Sequence, residues 1–197
     1  MAIKNIIFDL GGVVVKHDTS KYTKELVEFF VYLRDPMPQF WKDYDRGTIS
    51  FKDMKDALAA HNGITLEECD KYIEESITMH IPIPVTTALL QDLKAAEYRL
   101  YVLSNMPHEY ICQIRSLDIY DYFDGDVISS EVGFIKPEVE IYNTLLERFD
   151  LKAEESLFID DREQNVEGAK NAGLAASLFD ATNPAKSCAE LRALLML

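Results

Sequence analysis

Five short apolar runs constrain the fold of this chain more than any other feature. They are Ile3 to Phe8, Leu100 to Leu103, Asp126 to Ser129, Leu157 to Ile159 and Leu174 to Leu178; each ends at a polar or glycine-rich turn, and most are separated by helical patterns. A near-continuous run such as Asn5-Ile6-Ile7-Phe8 suits a strand covered on both faces, and strands alternating with helices build a parallel sheet with helices on either side. The expected fold is therefore α/β: a doubly wound parallel-sheet (Rossmann-like) three-layer core. Its helices are expected over Val85 to Ala96, Pro107 to Leu117, Glu138 to Phe149, Asn165 to Ala172 and Pro184 to Leu195. Pro107 and Pro184 fall where a first helical turn tolerates proline.

The stretch between the first and second runs breaks this rhythm, because only helical patterns occur in it. It reads as an inserted all-helical cap over residues 17–84, leaving 1–16 and 85–197 as the core. Tyr22, Leu26, Phe29, Phe30 and Leu33 recur at helical spacing, and Asp35-Pro36-Met37-Pro38 ends that helix. Phe40, Trp41 and Tyr44 mark a second helix that Gly47 stops. Ser50 with Asp53, and Thr65 with Glu68, have the spacing of reciprocal caps at two further helix starts. Ile81-Pro82-Ile83-Pro84 is stiff and extended, and is expected to lead back into the core.

Charge narrows the partners. With 34 acidic against 20 basic residues, a net charge of −14 and no basic run, the field of the chain repels nucleic acid and anionic membrane. No apolar run approaches the roughly 20 residues needed to span a bilayer, and the first residues lack a secretory pattern, so a soluble, cytoplasmic protein is expected. Cys69, Cys112 and Cys188 lie far apart, which suits reduced, buried thiols better than a disulfide framework or a zinc site. A small anionic substrate would need a local counter-charge. Monomer and homodimer both remain open.

Polar groups stand at the strand ends. The first strand runs into Asp9-Leu10-Gly11-Gly12-Val13-Val14, which sets a carboxylate on a turn whose glycines let backbone amides approach a ligand. Ser104 and Asn105 follow the second strand, Lys136 precedes Pro137, and the fourth strand ends at Asp160 and Asp161 with Asn165 shortly after. Singly these have ordinary readings as turn, cap or loop residues. An adjacent pair of carboxylates, however, repels itself unless a cation is near.

These four segments, in this order, resemble the four motifs of the haloacid-dehalogenase-like hydrolases, and the helices between the first two resemble the alpha-helical cap of one subgroup. Asp-Leu-Gly-Gly-Val at the first strand and Arg46-Gly47-Thr48-Ile49-Ser50 in the cap look like the glucose-1-phosphatase-like members. The resemblance implies a phosphatase that acts through an aspartyl-phosphate and requires Mg2+. Asp9 would be the nucleophile; Asp9, the Gly11 carbonyl and Asp161 would hold the metal, with Asp160 and Asn165 orienting its waters. Ser104, the backbone of Asn105 and Lys136 would bind phosphate, and Lys136 and Asp160 would share in catalysis. The substrate implied is a small soluble phosphate, such as a hexose 1-phosphate.

One position departs from that pattern. Most phosphatases of the superfamily carry an acid/base aspartate two residues after the nucleophile, and here Gly11 stands there. General acid–base catalysis is typically worth about 10²–10⁴ in rate. Either the leaving group needs little protonation, as an anomeric hydroxyl does, or His17 or Asp18 donates the proton. Gly11 also motivates a non-catalytic phospholigand sensor. A haloacid dehalogenase and a sugar-phosphate mutase are weaker alternatives. Trp41, Tyr44 and Arg46 are candidate pocket residues of the cap, Arg46 for a sugar hydroxyl or a second anion, and His108 is a candidate for phosphate.

Overall fold

The computed structural model describes residues 2–30 and 36–197. Its strands are β1 (Asn5–Phe8), β2 (Val15–His17), β3 (His80–Pro82), β4 (Arg99–Ser104), β5 (Gly125–Ile128), β6 (Ser156–Asp160) and β7 (Ala175–Leu178). All five apolar runs become strands of one parallel sheet in the order β5-β4-β1-β6-β7. The chain winds outward from β1 through β4 to β5, then returns to the other side of β1 for β6 and β7. Such a reversal leaves a crevice beyond the carboxyl ends of the central strands, where ligands of open α/β sheets bind.

Side chains along β1 alternate between two buried layers, as the period of two in a strand requires. Ile6 and Phe8 pack with Leu89, Leu90, Ile111 and Leu191 on one face, and Ile7 packs with Leu103, Tyr142, Leu145 and Ala169 on the other. Burying one such side chain contributes roughly 1.5–3 kcal/mol. The covering helices are α5 (Pro84–Ala95), α6 (His108–Arg115), α7 (Ser129–Val132), α8 (Val139–Arg148), α9 (Glu163–Asn171) and α10 (Pro184–Leu195). Pro184 opens α10 as expected, whereas Pro107 is the extended residue just before α6, with ψ of 158°. The one-turn helix α7 carries no sequence signal long enough to be read.

Between β2 and β3 lie α1 (Lys24–Phe29), α2 (Gln39–Arg46), α3 (Phe51–Asn62) and α4 (Leu66–Ile77). Reciprocal caps form at Ser50 with Asp53 and at Thr65 with Glu68, and Gly47 ends α2 in the left-handed conformation at φ 78°. Leu33 and Asp35 lie outside the described residues. The borders of this region are not helical. β2 and β3 pair antiparallel, with His17 opposite His80 and Val15 opposite Pro82, in a two-stranded ribbon whose edges tolerate a proline without an N–H.

All three cysteines are free. Cys69 and Cys188 are buried, but Cys112 is exposed on α6 with its sulfur 3.5 Å from His108 Nε2, one helical turn away. Among the described residues no helix is long and apolar enough to cross a membrane.

Candidate active site

The carboxyl ends of β4, β1 and β6 lie side by side, so the residues that close them meet. Phe8 is level with Val102 on one side and Ile159 on the other, and the Asp9 N–H donates to the Ile159 carbonyl at 2.9 Å. Beyond Asp9 the chain folds tightly: the Leu10 carbonyl accepts the amides of Val14 and Val15, each at 2.9 Å, and Gly12 adopts φ 77°. A Cβ on Gly12 would stand 2.6 Å from Asp161 Oδ2, so only glycine lets the turn lie against that carboxylate.

Lys136 is the centre of the hydrogen bonding. It is 3% exposed, and its ammonium donates to Asp9 Oδ1 at 2.8 Å, Asp160 Oδ2 at 2.7 Å and the Leu103 carbonyl at 2.9 Å. All three protons of the ammonium are thereby used. A lysine before a proline is ordinarily solvated; this one is the counter-ion of a buried pair of acids. Ser104 Oγ donates to the same Asp9 Oδ1 at 3.0 Å. Asp160, fully buried, also accepts the Arg162 amide at 2.8 Å and the Asn165 amide group at 3.0 Å, and the Tyr142 hydroxyl in turn donates to the Asn165 carbonyl. The Asn105 side chain grips the backbone of Lys136 at both ends, accepting from its N–H at 2.8 Å and donating to its carbonyl at 3.0 Å.

Asp9, Asp160 and Asp161 converge so that one oxygen of each lies within 4.8 Å of the others. One ammonium among three carboxylates leaves the cluster anionic, and the protons respond. The Asp9 carboxyl is raised, first by burial and then by Asp160, against the pull of Lys136. That of Asp161 is raised to about 6 by burial, Asp9 and Asp160. Lys136 is held above its ordinary value: burial, the largest single influence, lowers it, but Asp160 and Asp9 together raise it further. Asp161 has no hydrogen bond or ion pair among the described residues, and Gly12 keeps the space beside it clear. A cluster of hard oxygen donors with one uncommitted carboxylate fits a magnesium ion held by Asp9 and Asp161, the Gly11 carbonyl being part of the adjoining turn. Accordingly, Gly12→Ala is expected to weaken Mg2+ binding about 10–100-fold in a calorimetric titration, by displacing Asp161 while the core stays folded.

The remaining candidates separate clearly. His17 lies in the ribbon against His80, with ring centroids 4.6 Å apart, and burial followed by the charge of His80 lowers it to about 4. Asp18 accepts the Ser20 hydroxyl at 2.5 Å, which holds it below the usual carboxylate range. At neutral pH the first is uncharged and the second ionised, so neither is in the form a general acid needs. Arg46 binds Glu138 through both terminal guanidinium nitrogens rather than standing free for a ligand. Trp41 and Tyr44 are buried, the latter donating its hydroxyl to Glu109, and His108 is exposed. Beside Gly11 an added Cβ would meet nothing within 4 Å.

A group that sequence reasoning missed is Asp45, because an acid between Tyr44 and Arg46 on an amphipathic helix reads as surface. It is 7% exposed, receives the Trp41 indole N–H, and is raised to about 7 by burial, with Arg162 and Trp41 opposing. An acid raised on folding binds its proton more tightly in the native state, so the penalty grows as pH climbs from about 4 to 7 and persists above. Asp45→Asn should therefore stabilise the protein at pH 8, by at most about 4 kcal/mol for a shift from 3.8 to about 7, with no gain near pH 4. Urea unfolding at the two pH values measures this. Equal gains at both would contradict it.

Residues 3–173 match the haloacid dehalogenase-like hydrolase family. Over 197 residues the chain is 29% identical to a sesquiterpene phosphatase of Aspergillus oryzae, spanning 98% of this chain and 96% of that protein. It is 30% identical over 186 residues to a glyceraldehyde 3-phosphate phosphatase of Methanothermobacter thermautotrophicus, spanning 91% and 75% of the two. A crystal structure of a family enzyme from Bacteroides thetaiotaomicron, an aspartate-to-alanine mutant in complex with magnesium and inorganic phosphate, aligns with a TM-score of 0.73 at 25% identity over 91% of this chain and 95% of that one. With a match that takes in every strand end of the site and relatives alike over nearly the whole length, the chain belongs to the haloacid dehalogenase-like hydrolases.

Proposed function

We propose that the protein is a Mg2+-dependent phosphomonoester hydrolase whose nucleophile is Asp9. The observation that carries this reading is the placement of one carboxylate, fixed through a single oxygen by Ser104 and Lys136, beside two further carboxylates. An oxygen of Asp9 attacks phosphorus, the bond from phosphorus to the leaving oxygen breaks, and an aspartyl-phosphate results; water then attacks phosphorus and restores the carboxylate. Magnesium, when bound by Asp9 and Asp161, neutralises charge between the two anions. Lys136 holds Asp9 in register and supplies the one positive charge that Asp9 and Asp160 share. Ser104 Oγ and the Asn105 backbone N–H are the donors for phosphate oxygens, Ser104 exchanging its bond to Asp9 for one to the ligand. Residues 17–84 act as a cap over this site, with 1–16 and 85–197 as the catalytic core.

Turnover of p-nitrophenyl phosphate with Mg2+, abolished by EDTA, is the expected result. Tight binding of phosphate esters without turnover would point instead to a phospholigand sensor, the alternative that Gly11 motivates. The relatives carry the names of several different substrates, so the substrate rests on Gly11 too. Lacking a proton donor there, the enzyme suits a leaving group that departs readily, such as the anomeric hydroxyl of a hexose 1-phosphate. Because the space beside Gly11 is open, Gly11→Asp should fold and should raise kcat on simple alkyl phosphates selectively, by about 10²-fold. No change in the ratio of alkyl to sugar 1-phosphate turnover would remove this substrate assignment.

A further inference from the structure

The last turn of α2 is attached directly to the segment that leads to Lys136, and through Ser129 to the loop that follows Ser104. Arg46 Nη2 and Nη1 donate to Glu138 Oε1 and Oε2 at 2.6 and 2.8 Å, a bidentate ion pair, and Nη1 also reaches the Gly133 carbonyl at 3.2 Å. Glu138 Oε2 accepts in addition the Ile135 N–H at 3.0 Å. The pair therefore ties α2 to the segment on either side of Lys136. One residue earlier, the Asp45 carbonyl accepts the Ser129 hydroxyl at 2.5 Å, and the same oxygen of Ser129 accepts the Met106 N–H at 2.9 Å, two residues beyond Ser104. One residue later, a Cβ on Gly47 would stand 2.4 Å from the Ser130 carbonyl, so the helix end is seated with backbone against backbone. Three consecutive residues thus make three different attachments to residues 129–138, the segment bearing Lys136.

We propose that Arg46 and Glu138 are positioning residues for Lys136, so that the seating of α2 is a condition for a productive Asp9–Lys136 pair. The chain of contact is short. Arg46 fixes Glu138, Glu138 fixes the amide of Ile135, and Ile135 is bonded to Lys136, whose ammonium has 2.8 Å contact with the nucleophile. Most exposed ion pairs contribute little, but a bidentate guanidinium–carboxylate pair with a third bond to a backbone amide transmits geometry as well as charge. Reading Arg46 as a ligand for substrate assigns no role to Glu138; this reading needs both. It rests on the phosphatase assignment only for its kinetic consequence.

The test is a double-mutant cycle of Arg46→Met and Glu138→Gln, with Mg2+-dependent p-nitrophenyl phosphate turnover and hydrogen exchange at the Ile135 and Lys136 amides. Each single variant is expected to lower kcat about 10- to 100-fold with KM little changed, since a displaced catalytic group costs rate rather than binding. The double variant should be no worse than either single one, Arg46→Lys should restore little, and the Ile135 amide should exchange faster in all of them. Unchanged kcat with only a lower melting temperature would overturn the proposal, as would a KM increase in Arg46→Met with Glu138→Gln silent. Should the wild type hydrolyse no phosphate ester, the phosphatase assignment fails by itself. Exchange at Ile135 then decides the coupling alone: faster exchange in the variants supports it, and unchanged exchange overturns it.

Discussion

Asp9→Asn should abolish phosphate-ester turnover while leaving the metal-free protein at least as stable as the parent. The rate loss follows from removing the attacking oxygen anion and should be on the order of 10⁴–10⁶ in kcat. The stability follows from the same burial that makes Asp9 a site residue. Its carboxyl is raised, chiefly by desolvation and then by Asp160, so the native state holds that proton more tightly than the unfolded chain does. Ionising it therefore weakens the fold as pH rises above about 4, and an amide, which cannot ionise, escapes that penalty. Its carbonyl oxygen can still accept from Ser104 and Lys136. A variant that is inactive, yet melts at or above the wild-type temperature in EDTA at pH 8, is the expected outcome. Retained turnover would exclude Asp9 as nucleophile, whereas loss of folding would show that its charge is structural.

Lys136→Met should act in the opposite direction on stability. It leaves Asp9 and Asp160 buried, close together and without their shared cation, and breaking a buried ion pair from one side costs about 3–5 kcal/mol. Three hydrogen bonds of the ammonium go with it, including the one to the Leu103 carbonyl. Without the lysine the Asp9 carboxyl, already raised by burial, rises further, so the deficit should be larger at pH 8 than at pH 4. Mg2+ should recover part of it by supplying positive charge to the same oxygens. Urea unfolding with EDTA or Mg2+, at both pH values, measures each component. A loss under about 1 kcal/mol that is independent of pH would mean that the paired geometry contributes little.

The sheet was legible in the sequence because its central strands are apolar runs buried on both sides, and that requirement leaves few alternatives for Asn5–Phe8 or Ser156–Asp160. The helix ends of α2, α3 and α4 were legible for a similar reason: Gly47, Ser50 and Thr65 satisfy backbone groups locally, so their effect does not depend on distant neighbours. The β2–β3 ribbon and α7 were not, since three or four residues are too few to establish a period. Among the site residues, order along the strands pointed to Asp9, Ser104, Lys136 and Asp160. What stayed hidden was how they bind one another. That the Asn105 side chain holds the Lys136 backbone, that Arg46 belongs to Glu138, and that Asp45 is buried are all outcomes of long-range packing between segments tens of residues apart. Local pattern carries no record of such contacts.

The ribbon also bears on how such a protein can diversify. Asp18 N–H donates to the Met79 carbonyl at 2.7 Å and His17 faces His80, so the polypeptide departs from the sheet and comes back to it at neighbouring points. Insertions between those points need not pull on β1, but the last turn of α2 has no such freedom, since Asp45, Arg46 and Gly47 are seated on residues 129–138. Descent with modification thus has more room at a turn such as that of Gly63, beside which an added Cβ would meet nothing within 4 Å, than at Gly47, which lies against the Ser130 carbonyl.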